Sequence, residues 1–132
     1  MTDSKQILWE FLTVADTALY GLVATRVWSP RAPEGWRNTS AAVIYDVNES
    51  AHATGAMNEV LITANCYGGT LRYSDADAVY RALFDRLHGA HGKRCASGTL
   101  HAAYLVNGSV GDREIETEWP FAAATYRVIT SG

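Results

Sequence analysis

His88, His91, Cys95 and His101 are the densest set of potential metal ligands in the chain. Imidazole and thiolate hold zinc when they recur at standard spacings on a framework that fixes the tetrahedron. These four match no standard spacing and straddle the glycine-rich stretch GAHGKRCASG (89–98), so solvated histidines and a reduced loop thiol are expected, with no metal. A nucleophile elbow needs Gly-x-Ser-x-Gly to expose its serine on a sharp turn. The nearest approach, Asn107-Gly108-Ser109-Val110-Gly111, lacks the first glycine and reads better as a hairpin. A phosphate-cradling loop ends in Gly-Lys-Ser/Thr before a helix, whereas Gly92-Lys93 is followed by Arg94 and an extended run. No catalytic centre and no cofactor are expected.

The remaining polar chemistry is charge. Glu114, Glu116 and Glu118 alternate along one side of a predicted strand, side by side and not facing each other across a cleft. They form either a solvated face or a partner surface that discourages wrong strand pairing. From Asp112 to Glu118 four acids stand against Arg113, a net −3, and from Arg86 to Arg94 the bases Arg86, Lys93 and Arg94 carry +3. Opposite patches on one small protomer can meet head to tail between copies, and such contacts close into rings or run into filaments.

Positioning these groups falls to a few elements. Val60–Tyr67 alternates as a strand, Gly68-Gly69-Thr70 breaks it, and SDADAVYRALFDRLH (74–88) reads as a helix. Ser74 is its expected N-cap and Gly89 its C-cap, with Ala76, Val79, Tyr80, Leu83, Phe84 and Leu87 forming an apolar stripe. An isolated helix of this length is marginal in water, so the stripe must lie on a sheet. A first helix is expected over about 4–18, interrupted by Gly21. A short extended piece follows at Arg26–Trp28, then the loop SPRAPEGWRNTS (29–40), a strand at Ala41–Val47 and a polar connection at 48–57. Beyond the central helix come a strand at Thr99–Val106, a hairpin turn at Asn107-Gly108, a return arm at Arg113–Trp119 and a last strand at Phe121–Thr130. The result is an α+β fold: a mostly antiparallel sheet of about four to six strands packed with two main helices, in one domain spanning 1–132.

The 132 residues suffice for one core, and a net charge of −3 advertises neither nucleic acid nor an anionic membrane, so any basic function is local. No apolar run reaches the ~18 residues of a span, and the start MTDSKQ lacks the basic-then-apolar order of a secretory signal, so a cytoplasmic, membrane-free protein with reduced cysteines is expected.

Three stretches taken together, ADTALYGLVATRVWSPRAPEG (15–35), AAVIYDV (41–47) and ITANCYGGTLRYSDADAVYRALFDRLHG (62–89), resemble the tail terminator, or tail completion, proteins of long-tailed double-stranded DNA phages. The resemblance covers nearly the whole chain and includes no catalytic signature. One departure is Thr39-Ser40-Ala41, where such proteins often carry a proline. The resemblance implies a non-enzymatic virion protein, assembled in the host cytoplasm, that forms a ring, commonly a hexamer, at the head-proximal end of the tail tube. Its partners would be further copies of itself, the tail tube protein, the head–tail connector or neck proteins, and genomic DNA passing through the lumen. On that reading Arg86, Lys93 and Arg94 either face DNA as a weak, sequence-blind attraction or lie at a subunit contact. Glu114, Glu116 and Glu118 would lie at a subunit contact. Arg31, Trp36 and Arg37 would form a tube- or subunit-binding loop, since Trp and Arg are enriched where proteins meet; the alternative is that Trp36 folds back on the core. Two other readings stand beside it. One is a neck or stopper protein. The other is a small ligand-binding domain or enzyme with a pocket lined by Tyr67, Tyr80, Tyr104 and Trp119.

Overall fold

A computed structural model describes residues 4–54, 57–113 and 119–131. Three helices, α1 (Ser4–Leu12), α2 (Ala18–Val23) and α3 (Tyr73–Leu87), accompany six strands in one sheet. The strands are β1 (Val27–Trp28), β2 (Ala42–Thr54), β3 (Met57–Tyr67), β4 (His91–Arg94), β5 (Thr99–Arg113) and β6 (Pro120–Ser131). Their order is β1-β2-β3-β6-β5-β4, antiparallel throughout except for the parallel pair β1 and β2, so the α+β expectation holds.

One face of the sheet carries the core. Val60, Ile62, Ala64 and Cys66 of β3 and Ala122, Ala124, Tyr126 and Val128 of β6 point to it, with the period-2 alternation read from the sequence. Against them α3 lays Ala76, Val79, Leu83 and Leu87, all buried, as the stripe requires. Ala82 is buried as well, while Tyr80 and Phe84 sit at the rim. Ile7, Leu8, Phe11 and Leu12 of α1 complete the packing. Each fully buried Leu or Ile contributes roughly 1.5–3 kcal/mol relative to exposure.

The long first helix is not continuous. α1 stops at Leu12, Asp16 turns the chain at φ 70°, and α2 restarts under Thr17, whose Oγ1 accepts from Tyr20 N at 3.1 Å. A good cap outcompetes continued helix here and lets Leu19 and Val23 reach the core along a new axis. Gly21 lies inside α2 and does not interrupt it. The helix α3 likewise begins one residue early, after Arg72, and Ser74 is not its cap. Its first turn is held instead by Thr70, which donates to Asp75 Oδ2 at 2.6 Å and accepts from Arg72 N at 3.1 Å.

Three expectations about strands are corrected. Of the polar connection at 48–57, the described residues are strand: β2 runs to Thr54 and pairs through a bulge between Asn48 and His52 with β3, which begins at Met57. The stretch around 91–94 is no loop but the edge strand β4, pairing Lys93 with Leu100 and Arg94 with Thr99. All four of its residues are exposed, so no alternation could announce it. Asn107-Gly108 makes no hairpin either. β5 runs through it to Arg113, and the pair falls where the β5–β6 register slips between Leu105 and Val110. A strand paired with β6 both before and after the turn-prone residues absorbs them as a bulge. Residues 114–118 of the expected return arm lie outside the described residues. Pro120 opens β6, where a missing N–H is tolerated.

Candidate interaction surfaces

The basic residues converge where α1, α3 and β4 meet. Glu10, Phe11, Arg86, Lys93, Arg94 and Cys95 are among the residues lining a cleft of about 400 Å³ there. They differ in what holds them. Arg86, half-buried on α3, donates from Nε and Nη2 to Phe11 O at 3.1 and 2.9 Å, and its guanidinium lies 3.7 Å from the Phe11 ring centroid. That carbonyl belongs to the last turn of α1, where intrahelical donors run out. Burial lowers the Arg86 pKa and the neighbouring Cys95 opposes the shift, but a guanidinium stays charged at any physiological pH. Lys93 and Arg94, by contrast, are exposed on the sheet edge. The three residues therefore share one corner, with Arg86 committed to tying α3 to α1.

Across the cleft, Glu10 accepts from Ser97 N at 2.8 Å and Ser97 Oγ at 2.5 Å, which pins the β4–β5 turn to α1. These bonds, led by the Ser97 hydroxyl, hold the Glu10 pKa below its ordinary value. Cys95 lies between the two charges; burial first and then Glu10 raise its pKa, against the pull of Arg86. Cys66 is buried and desolvation raises its pKa, so burial disfavours the thiolate at both cysteines.

The four potential metal ligands go separate ways. His88 Nδ1 accepts from Leu105 N at 2.9 Å, His91 Nδ1 lies 3.3 Å from Gly89 O, and His101 Nε2 lies 2.7 Å from Ser131 Oγ. Among the described residues no group of three or more His, Cys, Asp or Glu side chains could hold a metal ion. The four aromatic residues of the pocket alternative also separate. Tyr67 and Trp119 meet at 6.4 Å, Tyr80 pairs with Phe84 at 6.5 Å, and Tyr104 lies beneath Arg127 at 6.0 Å.

At the other end of the sheet, the 29–40 loop folds over its own aromatic cluster. Trp36 meets Trp28, Tyr67 and Trp119 edge-on at 5.6, 5.6 and 5.4 Å. Arg31 and Arg37 remain exposed on either side of it. The loop is anchored by a residue the sequence did not flag. Asn38, 8% exposed, donates to Thr70 O at 3.0 Å and accepts from Gly69 N at 2.9 Å, clamping the turn that feeds α3. Gly69 is at φ +80°, and a Cβ there would meet the Ser40–Ala41 backbone; a Cβ on Gly68 would run into the backbone of Asp75 and Ala76. A loop asparagine has no periodicity to betray it, and only the paired glycines hinted at this close approach. Glu114, Glu116 and Glu118 lie outside the described residues.

No helix among the described residues is long and apolar enough to cross a membrane. No protein-family model matches the chain, and no curated protein does. A solved structure does share the fold: a chain of the "Virion of native gene transfer agent (GTA) particle" superposes with a TM-score of 0.63 at 22% sequence identity, over 89% of this chain and 87% of that one.

Proposed function

We propose that this chain is a structural, non-enzymatic virion protein. In this reading its 132 residues form one tail-terminator-like domain that assembles as a ring, of six copies, on the head-proximal end of a phage-type tail tube. The ring stops tube polymerisation and offers its other face to the head–tail connector, and DNA passes through its lumen. The observation that carries this reading is the fold shared, over nearly the full length of both chains, with a component of a virion particle. The sequence resemblance to tail terminators points the same way from independent evidence.

The two runs of opposite charge in the sequence support a head-to-tail arrangement. Lys93 and Arg94 pair with the start of β5, at Leu100 and Thr99, whereas the acidic run 112–118 begins where β5 ends. Lys93 and Arg94 on β4 and the acids Glu114, Glu116 and Glu118 each serve a contact between neighbouring copies. Arg31, Trp36 and Arg37 then serve as the tube or subunit contact, with Trp36 fixing the loop from beneath and the arginines reaching out.

The test is to add the purified protein to polymerising tail tube protein and image the products by negative stain. Tubes of bounded length capped at one end by a ring support the proposal. Tubes that grow without limit refute it, and rings that bind connector but never tube tips shift the assignment to a neck or stopper protein.

A further inference from the structure

The two lateral edges of the sheet are stepped in opposite senses. On one side β1 covers β2 only at Val43 and Ile44, which leaves the outer edge of β2 from Asp46 to Thr54 without a strand partner among the described residues. On the other side β4 covers β5 only from Thr99 to Ala102. The turn that precedes β4 takes Ala103, which donates its N–H to Ala90 O and accepts from Gly89 N, and His88 takes the N–H of Leu105. Beyond it, 106–113 has no outer partner among the described residues. Unpaired edges of this length are templates for strand addition.

The steps fit each other. Through the ladders Thr54↔Met57, Met57↔Ser131, Ser131↔Thr99 and Thr99↔Arg94, the strand β4 lies level with the open upper part of β2. Through Val43↔Cys66, Cys66↔Ala122 and Ala122↔Gly111, the strand β1 lies level with the open lower part of β5. The pairing senses make β4 parallel to β2 and β1 antiparallel to β5. A neighbour related by rotation about an axis roughly along the strands keeps those senses, so its β4 fills the notch beside β2 while this copy's β1 fills the notch beside the neighbour's β5.

Charge argues against pairing of like edges. The edge strand β4 carries Lys93 and Arg94 with no acid, and β2 carries Asp46 and Glu49 with no lysine or arginine. Charged edges ordinarily block pairing. Two β4 edges brought together would repel, which disfavours a two-fold dimer through β4 and leaves the heterologous contact.

We propose that copies of this chain join edge to edge, β4 of one adding in parallel to the 46–54 stretch of β2 in the next, so that the ring carries one continuous intersubunit sheet. The inference rests on the ring reading above and specifies the contact that builds it.

Thiol cross-linking tests it in a Cys95→Ser background, Cys66 being buried. Ala53→Cys and Lys93→Cys proteins are prepared separately, mixed, and treated with a short bis-maleimide, both free and on polymerised tube protein. A covalent dimer only in the mixture, and a ladder of multimers from the doubly substituted chain, is the expected result. Dimers from either variant alone would mean like edges meeting and would overturn the proposal. Oligomers seen by native mass spectrometry without any cross-link would overturn the edge contact and leave the ring standing. Monomers under both conditions would overturn the ring as well. Since a thiol at position 93 could disturb β4, Arg94→Cys repeats the assay from the adjacent residue, and retained circular dichroism certifies each variant as folded.

Discussion

Replacing Arg86 by Ala separates the two jobs assigned to the basic corner. Arg86 gives two charge-assisted hydrogen bonds to one carbonyl and stacks on Phe11, whereas Lys93 and Arg94 stand exposed on β4. A hydrogen bond from a charged group contributes roughly 1.5–3 kcal/mol, and the cation–π contact about another 0.5–1. Against these, freeing the arginine returns about 1–2 kcal/mol of rotamer entropy, and water entering the enlarged cleft hydrates the abandoned carbonyl. The net loss should be about 1–2 kcal/mol, or roughly 3–8 °C in melting temperature for a chain of this size. Lys93→Ala and Arg94→Ala should each stay within about 0.5 kcal/mol of the parent. Urea unfolding followed by circular dichroism measures all three. Arg86→Lys should recover only part of the loss, because one ammonium cannot reproduce the fork and the ring contact together. If Arg86→Ala melts with the parent while Lys93→Ala or Arg94→Ala falls by more than 1 kcal/mol, the division of labour at this corner is wrong.

Asn38→Ala removes both partners of the Gly69–Thr70 turn and should cost about 2–3 kcal/mol in thermal or chemical unfolding; a neutral result would mean that the clamp is replaced by solvent. Gly68→Ala drives a methyl into the backbone at the start of α3, so it should unfold the protein or lower its stability by more than about 2 kcal/mol, whereas Gly108→Ala, with open space around it, should be within about 1. The Glu10 pKa is depressed in the folded state, so its contribution is present at neutral pH and disappears as pH falls through the folded value; Glu10→Gln should therefore flatten the acid limb of the stability–pH curve and leave the alkaline limb unchanged, as melting scans from pH 3 to 8 would record.

The parts of the fold that were legible in the sequence are those where burial imposes a period. The stripe of α3 and the alternating residues of β3 and β6 are read directly because one side of each faces the core. Illegible were elements whose backbone is fixed by a neighbour. β4 exists because β5 offers it a ladder, with four exposed residues and no pattern of its own, and the far half of β2 is paired by β3. The reading at Asn107-Gly108 failed for a related reason, since a strand long enough to be held by β6 on both sides of the pair needs no turn there. Among the candidate residues, charge could be counted but not apportioned. Arg86 looks like Lys93 and Arg94 in the sequence and differs only because Phe11, far away in the chain, presents a carbonyl to it. Asn38 and Glu10 were silent because their partners, the 69–70 turn and Ser97, are brought to them by the fold.

Growth of tail tubes in the presence of this protein is the most direct test of the proposed function. With increasing protein, mean tube length should fall and a ring with a central hole should stand on one tip of each tube. Tubes of unchanged length with bare tips, from protein verified as folded, would contradict it.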